Sequence, residues 1–321
     1  MAATWPLEAL SDGSSLSLGA CDLRFEELLE YAVFSDILST MEEDCQKYAA
    51  IDINKLMSKT GQLSFYLTSI VMSLYMASAA FYITNTIGFQ GNNASVSREL
   101  LMKMDLPFET SESPNYELVV TTQVLIHLSV AVAYGAFNAL LLMVVLHLGC
   151  QIDIMCRNLL DVSFKDGKQI KFFINRHQEI IVFAERIEKL FTYMALSQLV
   201  SNTIIICCVG FLVVIAVHID NGVPLLLKSL LFYVVICLEA FIYCFVGEYL
   251  SIKSQLIGNT AYEFLWYDLR STESQLLIPV ILRSQKGFTF TFGKFSSLSL
   301  ESFTAIMKVS ASYISVLLAV Y

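Results

Sequence analysis

The sequence predicts an all-α membrane protein, and three observations lead to this fold class. Hydrophobic residues make up 56% of the 321 positions. Charged residues make up only 15%, whereas soluble domains carry about 25%. The mean hydropathy is +0.62, and several uncharged stretches are long enough to cross a bilayer as helices. Together these features exclude an ordinary soluble domain.

The N-terminal segment, residues 1–61, is expected to remain in the cytosol. Met1 is not followed by the basic region, short apolar core and cleavage site of a signal peptide. Between Phe25 and Thr60, apolar residues are interspersed with acidic ones, a pattern typical of a solvated amphipathic helix. We therefore expect this segment to lead into the first membrane helix from the inside.

Five apolar segments are predicted to span the membrane as helices. No charged residue occurs between Lys59 and Arg98, and the apolar part of this stretch has the length of one span. A second uncharged stretch lies between Glu117 and Asp153. By the same reasoning, the five spans are residues 62–84, 119–148, 197–219, 224–247 and 299–321.

The last of these spans is unusually polar for a membrane helix. Ser299 can cap its first turn, and Glu301 in that turn complements the helix dipole. Beyond Phe303 only Lys308 is charged, but hydroxyl side chains recur at positions 302, 304, 310, 312 and 315. A helix with this many hydroxyl groups needs protein neighbours or water around it.

Positive charges orient the chain across the membrane. With a cytosolic N-terminus, the inner segments hold sixteen Lys and Arg residues, whereas the outer segments hold only Arg98 and Lys103. The chain is therefore predicted to have a cytosolic N-terminus and an extracellular C-terminus. A G-protein-coupled receptor has the opposite orientation, and its Asp-Arg-Tyr and Asn-Pro-x-x-Tyr motifs are absent from the sequence, so that class is disfavoured.

Four connecting segments follow from these spans. They are an extracellular loop at 85–118, a cytosolic helical insert at 149–196, an extracellular turn at 220–223 and a cytosolic region at 248–298. The outer loop carries Asn93 in an Asn-Ala-Ser sequon, which either accepts a glycan or stays unmodified. Both cytosolic regions contain apolar stretches that need something to bury against.

The sequence offers no enzyme or metal site. Its four histidines, at positions 127, 147, 177 and 218, lie in different segments, and no nucleophile has a partner by spacing. Cys150 and Cys156 have no accompanying His pair, so reduced thiols are a better interpretation than zinc ligands. No Lys- or Arg-rich run indicates nucleic acid. We expect a binding or conducting protein without a cofactor.

Two features inside the spans are candidates for function. Glu239 lies midway along the fourth span, where a carboxyl group either holds helices together or takes part in gating or ligand contact. In the last span, Lys308, Ser312, Val316 and Val320 recur every four residues along one face. From spacing alone, this stripe fits ordinary helix packing as well as the lining of a pore.

Several short motifs, in their order and spacing, resemble the insect odorant receptors. The matching residues are Tyr243-Cys244, Gly247-Glu248, Trp266-Tyr267-Asp268, Gln285-Lys286, Gly293-Lys294-Phe295, Ser299 to Thr304 and Ser310 to Tyr313. The resemblance covers roughly Leu28 to Tyr321. It implies an odorant receptor-type helical bundle that forms one subunit of a ligand-gated cation channel.

The resemblance also assigns expected roles to individual residues. Ser312, Val316 and Val320 correspond to pore residues, and a ring of Val316 from four subunits would form an apolar gate. The odorant pocket is expected between the outer halves of the helices, with packing as the alternative role for each residue. Its candidate residues are Tyr75, Phe81, Tyr82, His127, Tyr134, Phe232 and Tyr233.

The implied protein is a tuning subunit that forms a heterotetramer with the olfactory co-receptor. Small volatile odorants would open its non-selective cation channel in the plasma membrane of a sensory neuron dendrite. Family members have seven spans, so the chain is expected to lack the first two helices. A truncated, non-conducting receptor product is one alternative. A gustatory receptor of the same superfamily is another, disfavoured because no Gln follows Tyr313.

Overall fold

The fold is a bundle of long α-helices, seen here in a computed structural model. The structure describes residues 32–47, 55–92, 100–101, 113–161, 167–218, 223–264, 267, 270–287, 291–292 and 296–320. Five helices carry most of these residues: α1 (residues 32–47), α2 (Leu56–Asn92), α3 (Asn115–Asp161), α4 (Gly167–His218) and α5 (Val223–Glu263).

Shorter elements connect α5 to the last helix. They are α6 (Ser271–Ser274), a 3₁₀ turn (Gln275–Leu277), α7 (Ile278–Lys286) and the strands β1 (Thr291–Phe292) and β2 (Ser296–Ser297). The two strands pair antiparallel, with Thr291 opposite Ser297. The chain then enters α8 (Leu300–Val320). Apart from this small strand pair, the regular structure described is helical, as the sequence predicts.

Four of the described helices are long and apolar enough to cross a membrane. The qualifying stretches are Leu56–Thr84, Asn115–Leu160, Ile170–Val217 and Leu226–Glu263. Each overlaps one of the first four predicted spans, although 197–219 and 224–247 extend two residues beyond the corresponding stretch at one end. The fifth predicted span coincides with α8, and its membrane position stays a prediction.

The long helices extend well beyond the apolar spans. In α5, for example, the predicted span ends at Gly247, whereas the helix continues to Glu263. The residues after Gly247 include Glu, Leu, Lys and Gln, which are good helix formers, and no proline interrupts them. Hydropathy therefore marks where apolar character ends, while backbone hydrogen bonding continues through the polar residues that follow.

A continuous core of buried side chains joins α3, α4 and α5. Fully buried side chains there include Leu148, Ile187 and Leu250. The described end of the N-terminal segment joins this core, because Ile37 of α1 is also fully buried in it. The sequence predicts a helix here and the structure contains one, but its apolar face is covered by protein rather than solvated.

A buried charge cluster ties α1 to the two neighbouring helices. Arg176 Nη2 of α4 donates to Asp44 Oδ1 of α1 at 2.8 Å and to Gln151 Oε1 of α3 at 2.7 Å. His147 Nε2 lies 3.6 Å from Asp44 Oδ2, and Glu179 accepts from Arg176 Nη1 at 2.7 Å. Burial by itself would raise the pKa of Asp44, but the His147 hydrogen bond and the Arg176 charge outweigh it and lower that pKa.

The start of α8 is fixed by its own cap and by α5. Ser299 Oγ accepts a hydrogen bond from the Ser302 amide at 3.2 Å, which confirms the predicted cap. Glu248 Oε2 accepts from the Leu300 amide at 3.3 Å. Gly247 lets the two segments approach closely, since a Cβ atom there would lie 2.8 Å from the carbonyl carbon of Leu298 and nearer still to its oxygen.

Candidate ligand cavity and its polar floor

A cavity of about 330 Å³ lies between α2, α3, α4 and α5. Its walls are mainly aromatic and aliphatic. Four of the seven predicted pocket residues line it: Tyr75 from α2, His127 and Tyr134 from α3, and Phe232 from α5. Aliphatic wall residues include Val130, Ile205 and Val235. The cavity is thus an apolar chamber within the candidate membrane spans.

The other three predicted pocket residues, Phe81, Tyr82 and Tyr233, are not among the lining residues. Tyr82 is nevertheless close, because its ring centroid lies 5.0 Å from that of His127. Its hydroxyl donates to the carbonyl oxygen of Leu101 at 3.2 Å, and Lys228 Nζ sits 3.9 Å from its ring centroid. Tyr82 thus belongs to a rim cluster beside His127.

Glu239 forms the polar floor of the cavity. It is only 5% exposed, and its Oε1 accepts from Gln198 Nε2 at 2.6 Å and from Asn138 Nδ2 at 3.3 Å. Asn138 Nδ2 also donates to the Tyr75 hydroxyl at 3.1 Å, while Gln198 Nε2 lies 3.4 Å from Asn202 Oδ1. This network joins side chains from α2, α3, α4 and α5.

The network leaves two buried polar atoms without a hydrogen bond within the part of the chain that the structure describes. They are Asn202 Nδ2 and Asn138 Oδ1, and the two residues are 1% and 0% exposed. Asn202 lines the cavity directly. Among those same residues, Glu239 has no ion-pair partner. The floor therefore combines a carboxyl acceptor with an amide donor that has no bond of its own.

Sequence reasoning identified Glu239 but missed its three amide neighbours, Asn138, Gln198 and Asn202. All three residues carry the same sequence signal, which is a polar side chain inside an apolar span. Such a side chain is energetically costly there and marks a buried contact. The sequence does not show that these side chains meet in one network. Asn138 and Glu239, for instance, are 101 residues apart.

Comparison with known proteins identifies the group to which this bundle belongs. A family model described as the 7tm odorant receptor matches residues 24–311. The chain belongs to the insect odorant receptor family. Odorant receptor 13a of Drosophila melanogaster is 32% identical over 165 residues, which cover 48% of this chain. Odorant receptor 10 of Aedes albopictus is 25% identical over 220 residues, which cover 65% of it.

Solved structures place this odorant receptor chain in the same fold. The insect olfactory receptor OR5 from Machilis hrabei, in complex with eugenol, matches with a TM-score of 0.71 at 12% identity. That match covers 91% of this chain and 79% of the other. A second structure of the Machilis receptor matches with a TM-score of 0.66 at 15% identity, covering 98% of this chain and 84% of the other. The predicted odorant receptor-type helical bundle is thereby confirmed, and the orientation of its termini stays a prediction.

The alignments with the two curated relatives span only part of those proteins. They cover 39% of the Drosophila receptor and 57% of the Aedes receptor.

The last helix of this odorant receptor chain has one packed and one exposed face. Ser310 is 1% exposed, and Ile306 packs against the main core. The predicted pore residues lie on the other face, where Ser312 is exposed beside Lys308 and Val316 is 60% exposed. The side chain of Val320 and the whole of Asn93 lie outside the described residues.

Proposed function

We propose that this chain is the tuning subunit of an odorant-gated, non-selective cation channel formed with the olfactory co-receptor. The observation that carries the proposal is the cavity of about 330 Å³ between four helices of the bundle. Its volume falls within the roughly 300–1,000 Å³ of small-molecule sites, and its aromatic walls suit a small volatile ligand. The related Machilis receptor was solved with eugenol, which is also a small molecule.

The exposed face of α8 supplies the proposed conducting path. Lys308, Ser312 and Val316 are exposed on a single chain, so four chains around an axis could turn this face inward. Val316 of this chain, together with the corresponding residues of the other subunits, would then form an apolar ring that closes the pore by excluding water. With a cytosolic N-terminus and an extracellular C-terminus, this ring lies toward the outer end of α8.

Exposed apolar side chains outside the predicted spans support assembly with a partner subunit. Tyr262 near the end of α5, together with Ile278 and Leu282 around α7, is largely exposed on the single chain. Residues of this kind usually face protein when they cluster on one end of a molecule. We assign this end to contact with the co-receptor in a heterotetramer, in the plasma membrane of the sensory dendrite.

Co-expression in a cell line tests the proposal. Odorant-evoked cation current is expected when the chain is expressed with the co-receptor. Ala131 lines the cavity, so Ala131→Phe should fill it and abolish the response. Ala133 is exposed two residues along α3 and is not a lining residue, which makes Ala133→Phe the matched control.

Surface labelling of each variant separates a blocked cavity from a receptor that does not reach the membrane. Equal responses from both variants would remove the cavity as the ligand site. No current from the wild-type receptor with any of a broad set of odorants would overturn the channel function.

A further inference from the structure

We propose that the cavity selects odorants that carry a hydroxyl group, which donates to the carboxyl of Glu239 and accepts from Asn202 Nδ2. The proposal rests on the function of the cavity as an odorant site and adds the chemical class of the ligand. It comes from two polar groups of opposite hydrogen-bonding sense that lie side by side at the cavity floor.

The acceptor is Glu239. Two side-chain amides, from Gln198 and Asn138, already direct their N–H groups at its Oε1. This carboxyl group thus accepts hydrogen bonds from its surroundings, and Glu239 also lines the cavity. A ligand O–H that reaches it would form a hydrogen bond of the stronger kind, because one partner is a carboxyl group.

The donor is Asn202. Gln198 Nε2 lies within hydrogen-bond distance of both Glu239 and Asn202, which places Asn202 next to the carboxyl group. Its oxygen faces Gln198, and its buried Nδ2 lies near Glu239 without a hydrogen bond of good geometry, so this N–H group is the part left for a ligand. An unmatched buried donor is costly, and a ligand oxygen that accepts from it recovers this cost.

A hydroxyl group is a small group that satisfies both atoms. It has one O–H to donate and lone pairs that accept, and it reproduces the hydrogen bonds that water would make at the same place. An ether can accept from Asn202 but leaves Glu239 unmatched. An ammonium group donates only, so it leaves Asn202 unmatched, and a hydrocarbon leaves both.

A matched ligand series tests this selectivity in the wild-type receptor expressed with the co-receptor. Benzyl alcohol, benzyl methyl ether, benzylamine and ethylbenzene share one ring and differ at the polar group. Benzyl alcohol is expected to act at a concentration at least about tenfold lower than the other three, as two matched hydrogen bonds imply. Equal potencies, or a preference for benzylamine, would overturn the proposal.

Variants of α4 locate the effect. Asn202→Leu keeps the side-chain size but removes the amide donor, and it should reduce the advantage of benzyl alcohol over benzylamine, which matches Glu239 alone, to about threefold or less. Thr203→Val on the same helix is the control, since Thr203 is not a lining residue and its hydroxyl donates to the Leu199 carbonyl oxygen within α4. An unchanged advantage in Asn202→Leu would remove Asn202 from the ligand site.

Direct binding distinguishes this proposal from the channel function. Ligand-induced thermal stabilisation of the purified receptor is measured with the same four compounds. Stronger stabilisation by benzyl alcohol than by the other three compounds, without any current, would contradict the channel function and keep the hydroxyl selectivity. Currents with other odorants, but neither current nor stabilisation with benzyl alcohol, would contradict the hydroxyl selectivity and keep the channel function. Neither signal with any compound at millimolar concentration would contradict both.

Discussion

Replacing Gly247 with alanine should destabilise the junction between α5 and α8. A Cβ atom at this position would lie 2.8 Å from the carbonyl carbon of Leu298, with the carbonyl oxygen and Cβ of Leu298 closer still. Carbon atoms normally pack about 3.5–4.0 Å apart. Because the obstacle is mainly backbone, it cannot rotate away, so either α5 or the strand-to-helix connection must shift.

The size of the effect follows from two opposing terms. Overpacking a tight contact costs about 1–3 kcal/mol, whereas Gly→Ala within a helix contributes about 0.5–1 kcal/mol in the stabilising direction. The expected net loss is about 1–2 kcal/mol. At about 2–4 °C per kcal/mol, the melting temperature should fall by about 2–8 °C.

The assay is a thermal melt of purified receptor in detergent, followed by the fraction that stays monodisperse. Gly61 in α2 is the matched control, because a Cβ atom there would meet nothing within 4 Å. Gly61→Ala should leave the melting temperature unchanged or raise it slightly. A Gly247→Ala protein as stable as Gly61→Ala would refute the idea that backbone contact requires glycine at this position.

Three further predictions concern α1 and α8. Asp44→Asn should cost about 3 kcal/mol by leaving the buried Arg176 with reduced charge compensation, and should make α1 sensitive to protease. Because the pKa of Asp44 is lowered from its ordinary value of 3.8, its contribution is complete above pH 3.8 and is lost as the pH falls through the folded value, so α1 should detach only in stronger acid. Val316→Lys should reduce odorant-evoked current if α8 lines the pore, because added positive charge in the pore opposes cations.

Each of these predictions has a control in the same element. Asp36→Asn breaks an exposed pair with Arg186 and should cost less than about 1 kcal/mol. The acid dependence should be absent from Asp44→Asn, and protease cleavage of wild-type α1 beginning already near pH 5 would contradict the assignment. Ala311 is exposed about 140° round α8 from Val316, so Ala311→Lys should leave the current intact. Identical currents from the two lysine variants would place Val316 outside the pore.

Local features of the fold were predictable because the sequence carries them directly. Apolar stretches located four long helices, and the Ser299 cap located the start of α8. The ends of α3, α4 and α5 were harder to predict. Residues beyond the apolar spans are polar but still favour helix, so the change in hydropathy does not coincide with a change in backbone conformation.

The cavity was only partly predictable, for a different reason. Choosing aromatic residues in the outer halves of the spans identified Tyr75 and Phe232, but Tyr233 is one residue further along α5 and is not a lining residue. A step of one residue rotates a side chain by about 100°, and the rotation of each helix is set by its neighbours. The amide network could not be predicted for the same reason. Its members come from separate helices, and tertiary packing decides whether they meet.

The uninterrupted length of α4 gives the bundle a mechanical property. Its 52 residues extend for about 78 Å, more than twice the roughly 30 Å hydrocarbon core of a bilayer. The same rod that presents Asn202 to the cavity carries Arg176, which binds α1, at a position 26 residues or about 39 Å away. A tilt of about 5° about the cavity would therefore swing Arg176 sideways by about 3 Å, roughly the length of the bonds it makes to Asp44 and Gln151. Because of this length, a small change in the tilt of α4 at the cavity would be enough to break the contact between α4 and α1 at the far end.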